Sequence, residues 1–147
     1  MVDSATGLVY HRAVARVPYA DTDRAGVVYH AQYLRYFELG RTELLRAEGY
    51  SYREVESDGY LFPVVSVHVE YLSPLRYDDA IWIYTRPGAS DGVRFRFEYR
   101  IAHADSARSV CSGSTEHCTL SPAGRPIPME RHVAELWRTF PESEPST

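Results

Sequence analysis

One short segment of this 147-residue chain carries the residue types that carbonyl chemistry needs. Asp21 and Asp23 lie two residues apart, so in an extended backbone their carboxylates point to the same side. Gly26 lets the backbone approach a ligand closely. A stretch with helical spacing follows, and the first N–H groups of a helix, here near Tyr29 and His30, have no partner inside it. A carboxylate beside such donors can attack a carbonyl that they polarise as an oxyanion hole.

Residues 19–30, the chemical segment, also suit a purely structural role. Acidic side chains before a helix form turns and N-caps, and the helix dipole stabilises them there. His30 can cap or pack at the helix start, or it can orient a leaving group or water. Tyr19 can donate a hydrogen bond to Asp23, or it can end a strand with its ring buried. The spacing alone leaves both interpretations open.

Other catalytic motifs have little support in the sequence. Four side chains of metal-binding type lack the spacing of a zinc site, namely His103, Cys111, His117 and Cys118. A Gly-x-Ser-x-Gly pattern occurs at residues 88–92, but it lies between two predicted strands and lacks the strand-to-helix context of a serine hydrolase elbow. No Gly-rich phosphate loop follows a strand. Arg94, Arg96 and Arg100 form either a solvated strand face or a clamp for the phosphates of an extended anionic cofactor. We therefore expect neither a metal centre nor a serine nucleophile.

The composition describes a single, mildly acidic domain. The chain is long enough for one core, with 44% hydrophobic residues, and its 16 basic and 20 acidic side chains give a net charge of −4. An acidic chain is poorly suited to nucleic acids or anionic membranes. The 12 tyrosines suit an aromatic sheet surface or a subunit interface equally well.

The cellular location follows from the sequence as an expectation. Two cysteines do not make a disulfide framework. The first seven residues lack the basic and apolar regions of a signal peptide, and no apolar run approaches the roughly 20 residues that span a bilayer. We therefore expect a reduced, cytoplasmic protein without a membrane span.

A long helix must position the chemical segment. Between residues 29 and 48, one stripe at helical intervals consists of Tyr33, Phe37, Gly40, Leu44 and Ala47. Gly49 is a natural stop for this helix of about 20 residues, or roughly 30 Å. Gly40 costs about 1 kcal/mol relative to Ala in the middle of a helix. Its place on the buried stripe predicts that another element approaches the backbone closely.

The remaining segments predict a sheet. We expect strands at residues 8–19, 65–71, 80–86, 93–101 and 110–120. We also expect a short polar piece at 52–57 that suits a helix, a terminal helix at 129–140, and a frayed tail at about 141–147. Short connections favour an antiparallel meander, so the predicted fold class is α+β: a curved antiparallel five-stranded sheet wrapped around one long central helix. Exposed sheet edges favour pairing between two copies.

Two sets of residues together resemble a known family. The first set is Tyr19-x-x-x-Asp23-x-x-Gly26-Val27-Val28-Tyr29-His30, Tyr33, Tyr36-Phe37-Glu38 and Arg41. The second set is Phe62-Pro63, Tyr71, Pro74, Tyr77 and Asp79. They resemble the hotdog-fold thioesterases of the 4-hydroxybenzoyl-CoA thioesterase and YbgC-like type, over about residues 10–125.

The resemblance implies one hotdog domain over residues 1–147 that hydrolyses an acyl-CoA to a carboxylic acid and CoA. By this similarity Asp23 attacks the thioester carbonyl or activates water, and Asp21 is structural. The backbone N–H of His30 polarises the carbonyl, and the side chains of Tyr19 and His30 also belong to the site. The family forms homodimers with the active site between subunits, and these often pair into homotetramers.

The implied substrate is a short-chain aliphatic or hydroxyaryl thioester of CoA or of acyl carrier protein, with no cofactor besides the CoA of the substrate. Glu38 occupies the position of an acid that contacts the substrate ring in the hydroxyaryl enzyme, although a Glu facing solvent or an interface explains it equally well. Phe62 and Val65 are expected to shape the acyl pocket. Arg94 and Arg125 are expected to hold the CoA nucleotide.

Two other functions remain open at this point. Hotdog-fold hydratases or dehydratases act on acyl thioesters with a His and an acid placed for proton transfer, whereas His30 and Asp23 here share one loop. A non-catalytic acyl-thioester binding module would lack the acid at position 23. Release of free thiol, measured against the loss of enoyl-CoA absorbance, distinguishes these functions.

Overall fold

The computed structural model describes residues 7–50, 53, 57, 59–129 and 131–139. Its strands are β1 (His11–Arg16), β2 (Val64–Tyr71), β3 (Ala80–Ser90), β4 (Arg94–His103) and β5 (Ser109–Cys118). They form a five-stranded antiparallel sheet in the order β1-β3-β4-β5-β2. One long helix, α1 (Tyr33–Ala47), packs against β1, β3 and β4. The predicted α+β class is confirmed, but the expected meander is limited to β3, β4 and β5, because β2 lies at the edge beside β5.

Helix α1 is shorter than the spacing predicts, because the residues immediately before it form a tighter 3-10 turn. A 3-10 turn, His30–Gln32, leads into α1, which itself has 15 residues, about 22 Å. Gly49 follows the helix with φ +87°, as expected for a glycine stop. The buried stripe is also shorter and wider than predicted, since Ala47 is exposed whereas Tyr36 and Leu45 are buried.

The helix and the sheet approach each other closely at Gly40. A Cβ atom at this position would lie 2.7 Å from Ile83 Cγ2 and closer still to Thr85 Oγ1, both on β3. Protein interiors are close-packed, so a side chain here would have to displace one of these groups. The prediction of a close approach is confirmed, and the approaching element is β3.

The alternation predicted for β4 is confirmed and supplies the centre of the core. Phe95, Phe97, Tyr99 and Ile101 are buried. The ring of Phe37 on α1 stacks on Tyr99, with centroids 4.2 Å apart. The Arg and Glu side chains between them are exposed or half-buried on the opposite face. Each buried apolar side chain contributes about 1.5–3 kcal/mol to stability, so β4 holds helix and sheet together.

The C-terminal segment forms two short helices where the sequence predicts one. These are α2 (Arg131–Ala134) and α3 (Leu136–Thr139). Trp137 packs on Phe95 and Phe97, with ring centroids 5.2 and 5.5 Å apart. This segment therefore closes the core beside α1. No helix within the described ranges is long and apolar enough to cross a membrane.

The first strand is also shorter than predicted. Strand β1 stops at Arg16, and a 3-10 turn, Tyr19–Asp21, follows Pro18. Proline has no N–H for a sheet hydrogen bond, which explains the early end. The predictions for residues 52–57 and 141–147 lie outside the described residues, except at positions 53 and 57.

Strand β2 lies at an edge of the sheet, and most of its apolar side chains are exposed, although Val69 packs against the core. Val64, Val65, Val67 and Tyr71 are 43%, 49%, 44% and 50% exposed, although the alternation predicts one buried face. Strand β2 pairs with β5 alone, while α1 covers the strands toward the opposite edge. The apolar alternation of β2 therefore lies on a strand face that a single chain leaves largely exposed.

Candidate active site

The chemical segment folds into a small hairpin that runs directly into the helix. Hydrogen bonds from Asp23 N–H to Val27 O and from Tyr29 N–H to Asp21 O, both 2.9 Å, join its two arms. Gly26 turns the chain between the arms in the left-handed region, with φ +79°. The hairpin therefore carries the candidate acid on one arm and the start of the helix on the other.

The connection between β2 and β3 packs against this hairpin. The N–H of Val28 donates to the carbonyl of Leu75 at 2.8 Å. A guanidinium nitrogen of Arg76 lies 3.9 Å from the position that a Cβ of Gly26 would occupy. The N–H of Arg76 donates in turn to the Asp79 carboxylate at 2.8 Å, which fixes the connection. The orientation of the hairpin thus depends on residues about 50 positions further along the chain.

The Asp23 carboxylate is exposed, and its loop holds it by one oxygen only. Oδ1 accepts the N–H of Ala25 at 2.8 Å, and the carbonyl of Asp23 accepts the N–H of Gly26 at 3.0 Å. Within the part of the chain that the structure describes, Oδ2 has no hydrogen-bond or ion-pair partner. The side chain is oriented by the turn, while one oxygen remains available to a ligand.

Asp21 is buried and has a different environment. It is 3% exposed, its Oδ2 accepts the hydroxyl of Tyr36 at 2.7 Å, and its Oδ1 accepts Arg35 at 3.2 Å. Burial, followed by the Asp21 hydrogen bond, raises the pKa of Tyr36, which keeps that hydroxyl a donor. The expectation that the two acids point to the same side is wrong, because the 3-10 turn at Tyr19–Asp21 rotates Asp21 inward. Asp21 fastens the hairpin to α1.

The candidate oxyanion donors differ from the prediction by one residue. The N–H of Tyr29 is committed to Asp21 O, so Tyr29 is not a free donor and that prediction is wrong. The N–H of Gln32 donates to Tyr29 O at 2.9 Å. The N–H groups of His30 and Ala31 between them have no acceptor among the described residues. The first-turn rule applied to a tight 3-10 start would have identified Ala31.

The side chains of Tyr19 and His30 are both exposed. Tyr19 is 75% exposed and packs edge-on against Tyr77, with centroids 5.7 Å apart. Its ring is therefore not buried, and no hydrogen bond joins it to Asp23 in the described ranges. The imidazole of His30 lies 4.4 Å from the ring of Tyr29. It lines a cavity of about 290 Å³ together with Val28, Tyr33, Tyr71, Leu72, Ser73 and Pro74.

The residues expected to bind substrate lie at the opposite end of the sheet. Phe62 packs on Phe95 with centroids 5.8 Å apart, and Val65, the second residue of β2, is half-exposed. Arg94, which pairs with Cys118 at this end, lines an open cavity of about 450 Å³. Tyr71 contacts His30 from the far end of β2, and Val65 lies six residue steps of extended chain away from Tyr71, roughly 20 Å.

Arg125 and Glu38 occupy two further positions. Arg125 is exposed in a turn, where its N–H donates to Ser121 Oγ at 3.2 Å, near the same end as Arg94. Glu38 lies on the side of α1 next to β1, where it lines a separate cavity of about 480 Å³ with Arg16 and Asp21. A single chain thus brings together Asp23 and the helix start but leaves the predicted substrate residues apart from them.

A buried polar chain that the sequence did not indicate anchors the far end of the sheet. His117 Nδ1 lies 3.2 Å from the carbonyl of Phe62, which can only accept, so Nδ1 carries the proton. Nε2 then accepts from Thr115 Oγ1 at 2.8 Å, and Thr115 accepts from the Tyr99 hydroxyl at 2.6 Å. Burial lowers the pKa of His117 to about 4; the Phe62 carbonyl opposes this shift and the charge of Arg41 adds to it.

Comparison with known families decides the class of the protein. The family model of the Thioesterase-like superfamily matches residues 17–136 of the chain, which include the hairpin, α1 and the whole sheet from β2 onward. The chain belongs to this superfamily. It is a thioester hydrolase with the hotdog fold, as the resemblance of the chemical segment implied.

Three relatives illustrate the match. YbgC of Escherichia coli, an acyl-CoA thioester hydrolase, is 40% identical over 91 residues, 62% of this chain and 68% of its own length. YneP of Bacillus subtilis is 32% identical over 84% of this chain and 88% of its own length. The crystal structure of a 1,4-dihydroxy-2-naphthoyl-CoA thioesterase from Synechocystis has a TM-score of 0.82 at 25% identity, covering 87% of this chain and 95% of that one.

Proposed function

We propose that this thioester hydrolase acts on acyl-CoA in the cytoplasm and that the Asp23 carboxylate is its nucleophile or general base. The observation that carries the proposal is the Asp23 carboxylate, fixed through Oδ1 by Ala25 and uncommitted at Oδ2. The same hairpin presents the unpaired N–H groups of His30 and Ala31. Asp23 lies opposite Val27 in the hairpin, and His30 is three residues beyond Val27. The Cα atoms of Asp23 and His30 are therefore roughly 10 Å apart, which leaves room for a thioester group between them.

The proposed reaction uses both arms of the hairpin. The thioester oxygen accepts from His30 N–H, and one such donor contributes roughly 3 kcal/mol to the stabilisation of the developing oxyanion. Asp23 either attacks the carbonyl carbon, expelling the CoA thiolate and leaving a mixed anhydride that water hydrolyses, or removes a proton from an attacking water. The exposed His30 imidazole is suited to orient that water or the leaving group.

The proposed substrates are short-chain aliphatic and hydroxyaryl thioesters of CoA. The cavity of about 290 Å³ beside His30 has Val28, Tyr33 and Leu72 in its walls, which suit an apolar or aromatic acyl group. The Synechocystis relative, a 1,4-dihydroxy-2-naphthoyl-CoA thioesterase, supports the aromatic class. Arg94 and Arg125 are the proposed contacts for the CoA phosphates, and acyl carrier protein is the alternative carrier.

We further propose that the working form is a homodimer built through β2. An open sheet edge with half-exposed valines is suited to pair with a second copy of itself. Pairing two antiparallel β2 strands about a two-fold axis brings the Val65 end of one strand beside the Tyr71 end of the other. Val65 and Tyr71, roughly 20 Å apart within one chain, are then neighbours across the interface between two chains. Each site thus combines Asp23 of one subunit with Phe62 and Val65 of the other, and pairs of dimers form tetramers.

A thiol-release screen over aliphatic, branched and hydroxyaryl CoA esters tests the activity. We expect Asp23→Asn to lower kcat by at least about a hundredfold with an unchanged Tm, because the Asn oxygen still accepts from Ala25. Asp105→Asn is the control, since Asp105 is also an exposed loop acid and lies in the turn between β4 and β5. Near-normal turnover in Asp23→Asn would remove Asp23 from the mechanism.

Two additional measurements separate the remaining alternatives. In oxygen-18 water under single-turnover conditions, label enters Asp23 only if the mixed anhydride forms. Enoyl-CoA incubated in parallel tests hydratase activity through the loss of its conjugated absorbance. Thiol release without that loss supports hydrolysis, and the reverse result supports the hydratase.

Mixing two inactive variants tests the composite site. We expect Asp23→Asn and Val65→Trp each to be inactive, the second because Trp fills the proposed acyl pocket. After their subunits are exchanged at equal amounts, half of the dimers are mixed and each has one intact site, giving about a quarter of wild-type activity. If no activity returns, or if Val65→Trp is active alone, the intersubunit site is wrong.

A further inference from the structure

One hydrogen bond joins the edge of the sheet to the start of the helical segment. The hydroxyl of Tyr71, the last residue of β2, donates to the carbonyl oxygen of His30 at 2.7 Å. His30 begins the 3-10 turn that continues into α1. Neither the sequence pattern nor the resemblance assigns a role to this hydroxyl.

The carbonyl of His30 and the N–H of Ala31 belong to the same peptide group. A peptide group is planar, so fixing the direction of its oxygen also fixes the direction of its N–H. A hydrogen bond accepted by the carbonyl also polarises the group and makes its N–H a stronger donor. The Ala31 N–H and the neighbouring His30 N–H are the two donors that have no acceptor among the described residues. Tyr71 therefore acts on the turn that presents both of them.

The surroundings of Tyr71 preserve this interaction. Its ring packs edge-on against Tyr33, with centroids 5.1 Å apart. It lies in the wall of the same cavity as His30 and is 50% exposed. Partial burial, with a smaller contribution from Cys111, raises the pKa of Tyr71, so the hydroxyl keeps its proton and remains a donor at neutral pH.

We infer that Tyr71 is a positioning residue for the thioester carbonyl. It holds the His30–Ala31 peptide group so that the two free N–H groups converge on the carbonyl oxygen, and it does so without touching the acyl group. The inference rests on the proposed function, because it assigns Tyr71 to the oxyanion donors of that mechanism. A tyrosine that served only to pack against Tyr33 would be replaceable by phenylalanine.

The test compares Tyr71→Phe with Tyr77→Phe. Both tyrosines are largely exposed and both rings pack edge-on against another tyrosine, but the structure gives the Tyr77 hydroxyl no hydrogen-bond partner in the described ranges. Tyr71→Phe keeps the ring and its contact with Tyr33, so the fold and Tm are retained. We expect kcat to fall about tenfold and KM to change by less than about twofold. Tyr77→Phe retains wild-type kcat.

A spectroscopic measurement reports on the donors directly. In the Asp23→Asn background, bound 4-hydroxybenzoyl-CoA is not turned over, and its carbonyl stretching frequency falls as the oxygen accepts stronger hydrogen bonds. We expect a smaller decrease when Tyr71→Phe is added and no change when Tyr77→Phe is added. A packing role alone leaves this frequency unaltered.

The outcomes separate this inference from the proposed function. If the wild-type protein releases no thiol from any CoA ester, the proposed function fails. If the wild-type protein is active and Tyr71→Phe has the same kcat and the same bound carbonyl frequency, only the positioning role of Tyr71 is overturned. A lower kcat together with a weaker frequency shift supports it.

Discussion

Protonation of His117 is expected to set the acid limit of stability. Its imidazole is 1% exposed, and burial lowers its pKa from 6.5 to about 4. Between these two pH values the unfolded chain carries a proton on His117 that the native protein does not, so protonation favours unfolding. This difference in pKa corresponds to roughly 3 kcal/mol of unfolding free energy. The stability is fully present above pH 6.5 and is lost progressively as the pH falls toward 4, and below that pH His117 causes no further loss.

Chemical denaturation of wild type and His117→Gln at several pH values measures this contribution. Other groups also titrate in this range, so the informative quantity is the difference in free energy of unfolding between the two proteins. We expect His117→Gln to be less stable at pH 7, because it disturbs the hydrogen bonds that link His117 through Thr115 to Tyr99. The difference in free energy of unfolding between wild type and His117→Gln decreases by roughly 3 kcal/mol between pH 7 and pH 4. His68→Gln, on the exposed face of β2, is the control for replacing an imidazole outside the core.

A difference that stays constant with pH would refute the reasoning. It would mean that His117 takes up its proton equally well in the native and unfolded protein, and therefore that the site is not desolvated. The assay is made at one protein concentration, because association through β2 would otherwise shift the unfolding midpoint.

Two further substitutions test the support of the site. Asp21→Asn removes the charged acceptor of Tyr36 and Arg35, so we expect a loss of about 2 kcal/mol in unfolding free energy together with a lower kcat; unchanged stability would mean that this carboxylate does not fasten the hairpin. Gly40→Ala places a methyl group against Thr85 and Ile83, and we expect a net loss of about 1–2 kcal/mol by urea denaturation even after the gain in helix propensity. A variant as stable as wild type would show that helix and sheet are less tightly packed at this point.

The order of elements could be predicted because it follows from the local periodicity of apolar residues. The alternation of Phe95, Phe97 and Tyr99 and the helical spacing of Tyr33 and Phe37 each depend on near neighbours in the sequence. Gly40 was informative for a similar reason, since a glycine on a buried stripe implies a close neighbour whatever that neighbour is. The boundaries were less accurate, because tight turns replace regular structure at both ends of the chemical segment.

The details of the site depend on contacts between distant residues. The burial of Asp21 is decided by Tyr36, and the orientation of the hairpin by Leu75 and Arg76, which no spacing rule connects to it. The occupied N–H of Tyr29 follows from the hairpin pairing and not from its place before a helix. Hydrogen bonds between side chains of separate strands, such as those of His117, have no signature in a single sequence.

The open edge of β2 has a consequence for how the protein is made. A newly folded chain presents an edge strand with four valines that contains neither lysine nor proline, the residues with which many proteins protect such edges. While it is uncovered, this strand can pair with other extended segments, including misregistered copies of itself. Low expression temperature should therefore favour soluble enzyme over inclusion bodies.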